Sequence, residues 1–145
     1  MFATGKEAMP HRLVSYELED GLSATFLAPG ASAPFIAKLA GNPKTRQRAV
    51  AITRAVTQVA RNGVGWAKES CKFRSLDAGL ALYELKANGK VIRVMTYVHR
   101  ESVPIYLFDF DGHQGKSGSI PKHVMERGRS LAEQAARLME EEHDD

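Results

Sequence analysis

Two cations flank a sharp reversal in this chain. Asn88-Gly89 is the pair favoured in two-residue β-hairpin loops, and apolar residues alternate on both sides of it from Ala81 to Val98. If those two residues are the whole loop, Ala87 faces Lys90, Leu85 faces Ile92, Glu84 faces Arg93 and Tyr83 faces Val94. Alternation then places Tyr83, Leu85, Ile92, Val94 and Val98 on a core face, and Glu84, Lys86, Arg93 and Tyr97 on the other. Lys86 and Arg93 can therefore reach one phosphate backbone together. The same register offers Arg93 a second use, a cross-strand ion pair with Glu84 worth roughly 0.2–1 kcal/mol at a surface. Lys86 can equally be a solvated strand lysine.

Acid–base chemistry near neutral pH points to histidine, and His113 lies in the glycine-rich stretch Asp111 to Ser119, with Tyr97, His99 and His123 as competitors. Gly115-Lys116-Ser117 resembles the end of a phosphate-binding loop, but such a loop needs a glycine five residues before Gly115, and Phe110 stands there. The nucleotide-binding loop is excluded. The single Cys71 cannot form an internal disulfide, and no Cys/His cluster has zinc-site spacing, so the expectation is a reducing compartment with no metal and no cofactor. No apolar run approaches the roughly 18 residues of a membrane span. Met1 to Pro10 lacks a secretory stretch, which makes the cytoplasm the expected location and a membrane no partner. The formal charge of +3 is mild, yet Glu140 to Asp145 reads as an acidic solvated tail, which leaves the body more basic than the total.

The elements that must position these residues can be read from periodicity. Residues 1–11 show no apolar period and are expected to be disordered, and residues 12–139 form one domain. Leu13 to Leu18 alternates as a first strand closed by Glu19-Asp20-Gly21, and Ala24 to Leu27 can form a second short one. Phe35 to Ala40 reads as a short helix ended by Gly41. Asn42-Pro43 then opens an amphipathic helix in which Ala49, Ile52, Val56, Val59 and Ala60 recur at helical spacing, with Arg46, Arg48, Arg54 and Arg61 off that stripe. Gly63-Val64-Gly65 breaks it, and Trp66 anchors the loop that follows. After the hairpin, Val103 to Phe110 supplies a third strand, and Ser119 with Pro121 opens a final helix striped by Val124, Gly128, Leu131, Ala135 and Leu138. The expected fold is α+β: an N-terminal strand, two helices, a three-stranded antiparallel meander completing a small sheet, and a C-terminal helix.

In order and spacing these pieces resemble the HigB-like branch of the RelE/ParE toxin superfamily. The matching pieces are Leu82-Tyr83-Glu84-Leu85-Lys86, the Asn-Gly turn, Val91-Ile92-Arg93-Val94, a strand ending in Phe110, a lysine-containing loop, and Ile120-Pro121 at a helix start. Upstream, Ser32 to Leu39 followed by a basic helix and Asn62-Gly63 resembles the family's two helices, so the likeness covers most of Leu13 to Arg137. It implies a RelE-like fold and the toxin of a type II toxin–antitoxin pair, an endoribonuclease cutting ribosome-associated mRNA without metal. In such cleavage the ribose 2′-OH attacks the adjacent phosphate, so a site must take up one proton, supply another and stabilise extra negative charge. By motif, Lys86 takes the place of the family's arginine after Tyr-Glu-Leu, Arg93 matches its second-strand arginine, and Lys116 approximates the lysines before the final helix. The resemblance thus implies Lys86, Arg93 and His113 as catalytic candidates and Lys86, Arg93, Tyr97 and Lys116 as RNA contacts. The chain departs from the family after Phe110, where Asp111-Gly112-His113 replaces paired lysines, and a carboxylate there opposes phosphate. Expected partners are mRNA, the ribosome and a cognate antitoxin, a helix-turn-helix protein whose acidic segment covers the basic sheet face. Two alternatives from other classes remain open: a non-catalytic ParE-like inhibitor of DNA gyrase, and a phage-derived binding or regulatory protein without toxicity.

Overall fold

The computed structural model describes residues 10–88, 92–112 and 120–143, so the expectations for residues 1–9 and for Gly89, His113 and Lys116 lie outside the described residues. In chain order the elements are β1 (Arg12–Glu17), β2 (Ser23–Ala28), α1 (Phe35–Ala40), α2 (Arg46–Asn62), α3 (Val64–Glu69), β3 (Phe73–Asp77), β4 (Leu82–Asn88), β5 (Ile92–His99), β6 (Val103–Asp111) and α4 (Lys122–His143). The strands form one sheet in the order β1-β2-β6-β5-β4-β3. Every neighbouring pair is antiparallel except β2 and β6, which run parallel through Thr25↔Ile105 and Phe26↔Tyr106. The α+β class holds, but the sheet is mixed and larger than the small one expected. Phe73 to Asp77, too short and too polar to show alternation, becomes an edge strand against β4.

Each face of the sheet has its own core. On one face Ala49, Ile52, Val56 and Val59 of α2 pack with Phe26, Leu85, Ile92, Val94, Val98 and Tyr106. On the other, Leu131, Ala132, Ala135 and Met139 of α4 pack with Leu82, Met95, Tyr97 and Phe108. Each fully buried large apolar side chain contributes roughly 1.5–3 kcal/mol of transfer free energy, so both layers matter to stability. The second face was expected to be free of core. Helix α4 covers most of it because its apolar stripe needs a partner, and the sheet face offers one. The helix also runs on to His143, so the supposed tail begins within it, and Glu140 is engaged with Arg100 at 3.0 Å.

Two helix boundaries differ from the sequence reading. Helix α2 starts at Arg46 because Asn42 Oδ1 accepts a hydrogen bond from the Lys44 N–H at 2.9 Å and holds a turn there instead. Gly63, at φ 96°, does end α2, but its left-handed backbone redirects the chain straight into α3, where Val64 and Ala67 reach the core. Trp66 packs partly buried against that same core.

Helix α4 lies very close to the sheet at Gly128, where an added Cβ would come within 2.8 Å of Met95 Sδ and 3.1 Å of Met95 Cγ. Met95 is fully buried and cannot swing out to solvent. Gly128→Val is therefore expected to lower stability by about 2 kcal/mol through overpacking. Urea unfolding checks this, and adding Met95→Ala to that variant should recover part of the loss. An unchanged midpoint for the single variant would contradict the close packing.

The β5–β6 turn carries strain of another kind. Arg100 (φ 50°) and Glu101 (φ 64°) both occupy the left-handed region, while Ser102 N–H donates to His99 O at 3.1 Å. Side chains with a Cβ pay roughly 1–2 kcal/mol in that conformation, where Asn or Gly is usual. Glu101→Gly is expected to raise stability by roughly 1 kcal/mol, net of glycine's extra unfolded-state freedom, as a higher urea midpoint.

Candidate nucleic-acid interface

The hairpin register is shifted by two residues from the expected one. Leu85 faces Val94 and Lys86 faces Arg93, with a β-bulge between Lys86 and Asn88 that places Asn88 opposite Ile92. The bulge adds a residue to the first strand, so the reversal is not the two-residue loop, and Glu84 faces Met95 rather than Arg93. A shift of two leaves the side-chain faces unchanged, since the strand period is two. Tyr83, Leu85, Ile92, Val94 and Val98 do share the α2 face, and Glu84, Lys86, Arg93 and Tyr97 share the α4 face. The shift brings the two cations directly opposite one another.

Strand β6 extends that row. Arg93 faces Phe110 and Met95 faces Phe108, so Lys86, Arg93 and Phe110 lie side by side across β4, β5 and β6. Phe108 and Phe110 have ring centroids 6.2 Å apart, and the Arg127 guanidinium from the second turn of α4 sits 4.1 Å above the Phe108 ring. The helix is fixed over the sheet by Arg129 Nε on Asp77 Oδ2 at 3.0 Å and by Glu140 on Arg100 at the far end. Arg127 thus brings the N-terminal part of α4 to this cationic and aromatic row.

Glu84 orders the cations. Its carboxylate is 5% exposed and lies between Arg74 Nε at 2.5 Å and Arg93 Nε at 3.5 Å. A buried carboxylate that loses hydration must recover it from donors, and these two guanidinium groups supply them. The Arg93 side chain is itself only 11% exposed, and the Glu84 contact helps to hold its guanidinium in a defined place. The expected Arg93–Glu84 pair therefore exists, as a diagonal contact between partly enclosed groups and not as a surface cross-strand pair.

The carboxylate expected to oppose phosphate points away. Asp111 and Asp109 lie on the α2 face, where Arg48 NH1 donates to Asp111 at 2.9 Å and Arg48 Nε to Asp109 at 2.6 Å. Burial works against the Arg48 charge, but the hydrogen bonds and negative charge of Asp109 and Asp111 outweigh it and raise its pKa. The charge after Phe110 is thus screened by the sheet and compensated by an arginine.

Tyr97 does not join the row. It sits under α4, 8% exposed, its hydroxyl sharing a 2.8 Å hydrogen bond with His99 Nδ1. Burial, with the nearby Glu140 charge adding to it and Arg100 opposing it, raises the phenol's pKa above its usual range. His99 is buried at the far end of the sheet with Glu140 Oε2 3.3 Å from its Nε2, whereas His123 is exposed on the first turn of α4. Among the described residues no group of three or more His, Cys, Asp or Glu side chains could hold a metal ion, and no helix is long and apolar enough to cross a membrane.

Comparison with known proteins adds no relative. No family model, curated protein or solved structure matches this chain. Sequence reasoning missed Arg74, because β3 was not anticipated, and Arg127, which stands next to Gly128 on the flank of the α4 stripe. Alternation along β6 already carried one signal, since Phe108 and Phe110 must share a face opposite Asp109 and Asp111.

Proposed function

We propose that this chain is the toxin of a type II toxin–antitoxin pair and an endoribonuclease that cleaves ribosome-associated mRNA. The observation that carries the reading is the row Lys86–Arg93–Phe110 on one sheet face, with Arg127 over Phe108 beside it. Cations at fixed positions next to aromatic rings suit a flexible single strand, whose phosphates need charge and whose bases stack. The resemblance to the HigB-like toxins supplies the reaction.

Cleavage on this reading starts with the 2′-OH losing its proton to a base. The oxygen then attacks the adjacent phosphorus, the bond to the 5′-oxygen breaks, and that oxygen takes up a proton, leaving a 2′,3′-cyclic phosphate and a 5′-OH end. Arg93 and Lys86 meet the charge that builds on the non-bridging oxygens. Arg93, tied to Glu84, loses little freedom when phosphate arrives, and such preorganisation makes the stabilisation effective. His113 remains the candidate proton carrier.

Induction of the protein in a bacterial host, with mapping of RNA ends, tests the proposal. New 5′-OH ends within translated mRNA should appear within minutes of induction and precede growth arrest. Arrest with unchanged mRNA ends and inhibited gyrase would replace this reading with the non-catalytic one. Harmless expression would remove both.

A further inference from the structure

Across the sheet from this row, α2 and the end of β4 border an open groove of about 400 Å³. Its lining mixes small apolar residues, Val50, Ala51 and Ala87, with a larger polar share that includes Arg54, Gln58 and Lys72. Among the described residues no carboxylate lines it. Two other arginines of α2 are already engaged, Arg48 by Asp109 and Asp111 and Arg61 by Asp20. Arg54 and Lys72 form no ion pair among the described residues, so their charge is directed outward.

We infer that this groove binds an acidic amphipathic protein helix supplied by a partner. The α2 residues that border it, from Gln47 through Ala51 and Arg54 to Gln58, recur every three or four positions, so the groove runs straight along the helix for roughly 16 Å. That length takes about three turns of a docked helix. Small residues let two helices approach closely, Val50, Ala51 and Ala87 offer methyl groups to a docked helix's narrow apolar stripe, and Arg54 and Lys72 meet its carboxylates. A nucleic acid is less well served, because among the described residues no aromatic ring lines the groove to stack a base. The two sheet faces therefore differ in kind, with rings among cations on one and methyl groups among cations on the other. The inference does not depend on cleavage by the first face.

The test uses the full chain and a labelled helical peptide of about 15 residues, long enough to be helical when bound, with Leu and Ala on one face and Glu on its flanks. Fluorescence anisotropy should show binding that weakens as salt rises and is absent for the same peptide with Gln in place of Glu. Arg54→Glu with Lys72→Glu should weaken it more than about tenfold, because like charges then face each other. Ala51→Gln should weaken it by filling the groove, while Arg137→Glu on α4 should leave it unchanged. Circular dichroism confirms that the variants are folded. Failure of the Glu peptide to bind, or binding that survives the double reversal, overturns the inference. So does oligouridylate binding that depends on Arg54 and Lys72, which would make the groove a nucleic-acid track. Self-association lost in the same double variant also overturns it, since the occupant would then be a second copy of the chain.

Discussion

Glu84→Ala is expected to lower the stability of the fold by roughly 3 kcal/mol, the cost typical of breaking a buried ion pair from one side. The carboxylate is 5% exposed, and its removal leaves the 11%-exposed Arg93 without that counter-charge in a poorly hydrated place. Arg74 matters less, because its side chain is 49% exposed and water can take over from Glu84. Arg74→Ala should therefore cost under about 1 kcal/mol, as exposed pairs do. Glu84→Gln keeps an acceptor for one guanidinium but removes the charge, and should fall between the two. Urea unfolding with a common slope measures all three. If Glu84→Ala melted within the error of the wild type, Glu84 would not be the centre of the arrangement, and Arg93 would have to be held by other contacts.

The largest functional effect is expected at Arg93. On the proposed reaction, Arg93→Ala should slow single-turnover cleavage of ribosome-bound mRNA by about 10²- to 10³-fold, the usual cost of removing a donor aimed at developing negative charge. Arg93→Lys should recover little of this, since an ammonium cannot reproduce the planar fork that spans Glu84 and a phosphate oxygen. Lys86→Ala should cost less, about tenfold, because a flexible point charge is less preorganised and Arg93 remains opposite it. The double variant should lose less than the product of the two, as neighbouring groups acting on one phosphate are not independent. Arg93→Ala also disturbs the Glu84 pair, so cleavage is to be compared at a temperature where each variant is shown to be folded. A folded Arg93→Ala protein that cleaves at the wild-type rate would remove Arg93 from the chemistry and leave it only a structural partner of Glu84.

The two experiments separate roles that the sequence left entangled. Arg93 was legible both as a phosphate contact and as an ion-pair partner of Glu84, and the fold shows the second, as a diagonal contact at 3.5 Å. Lys86 and Phe110 lie opposite Arg93 on its two neighbouring strands, and Glu84 is one strand position removed along β4's face.

What the chain determined by itself was local. The α2 stripe, the strands around Asn88 and the split of β4 and β5 residues between two faces all follow from backbone periods of 3.6 and 2, which neighbouring residues cannot override. Even a two-residue error in register left every face assignment intact. The tertiary structure decided what lay over each face. Tyr97 and Arg93 share a strand face, yet Tyr97 packs under α4 with its hydroxyl on His99, whereas Arg93 is held by Glu84. Arg74 reaches Glu84 through an edge strand that has no period of its own, and Arg48 compensates Asp111 across 63 residues of chain. Burial and charge pairing depend on whichever distant segments come together, and short-range patterns hold no record of that.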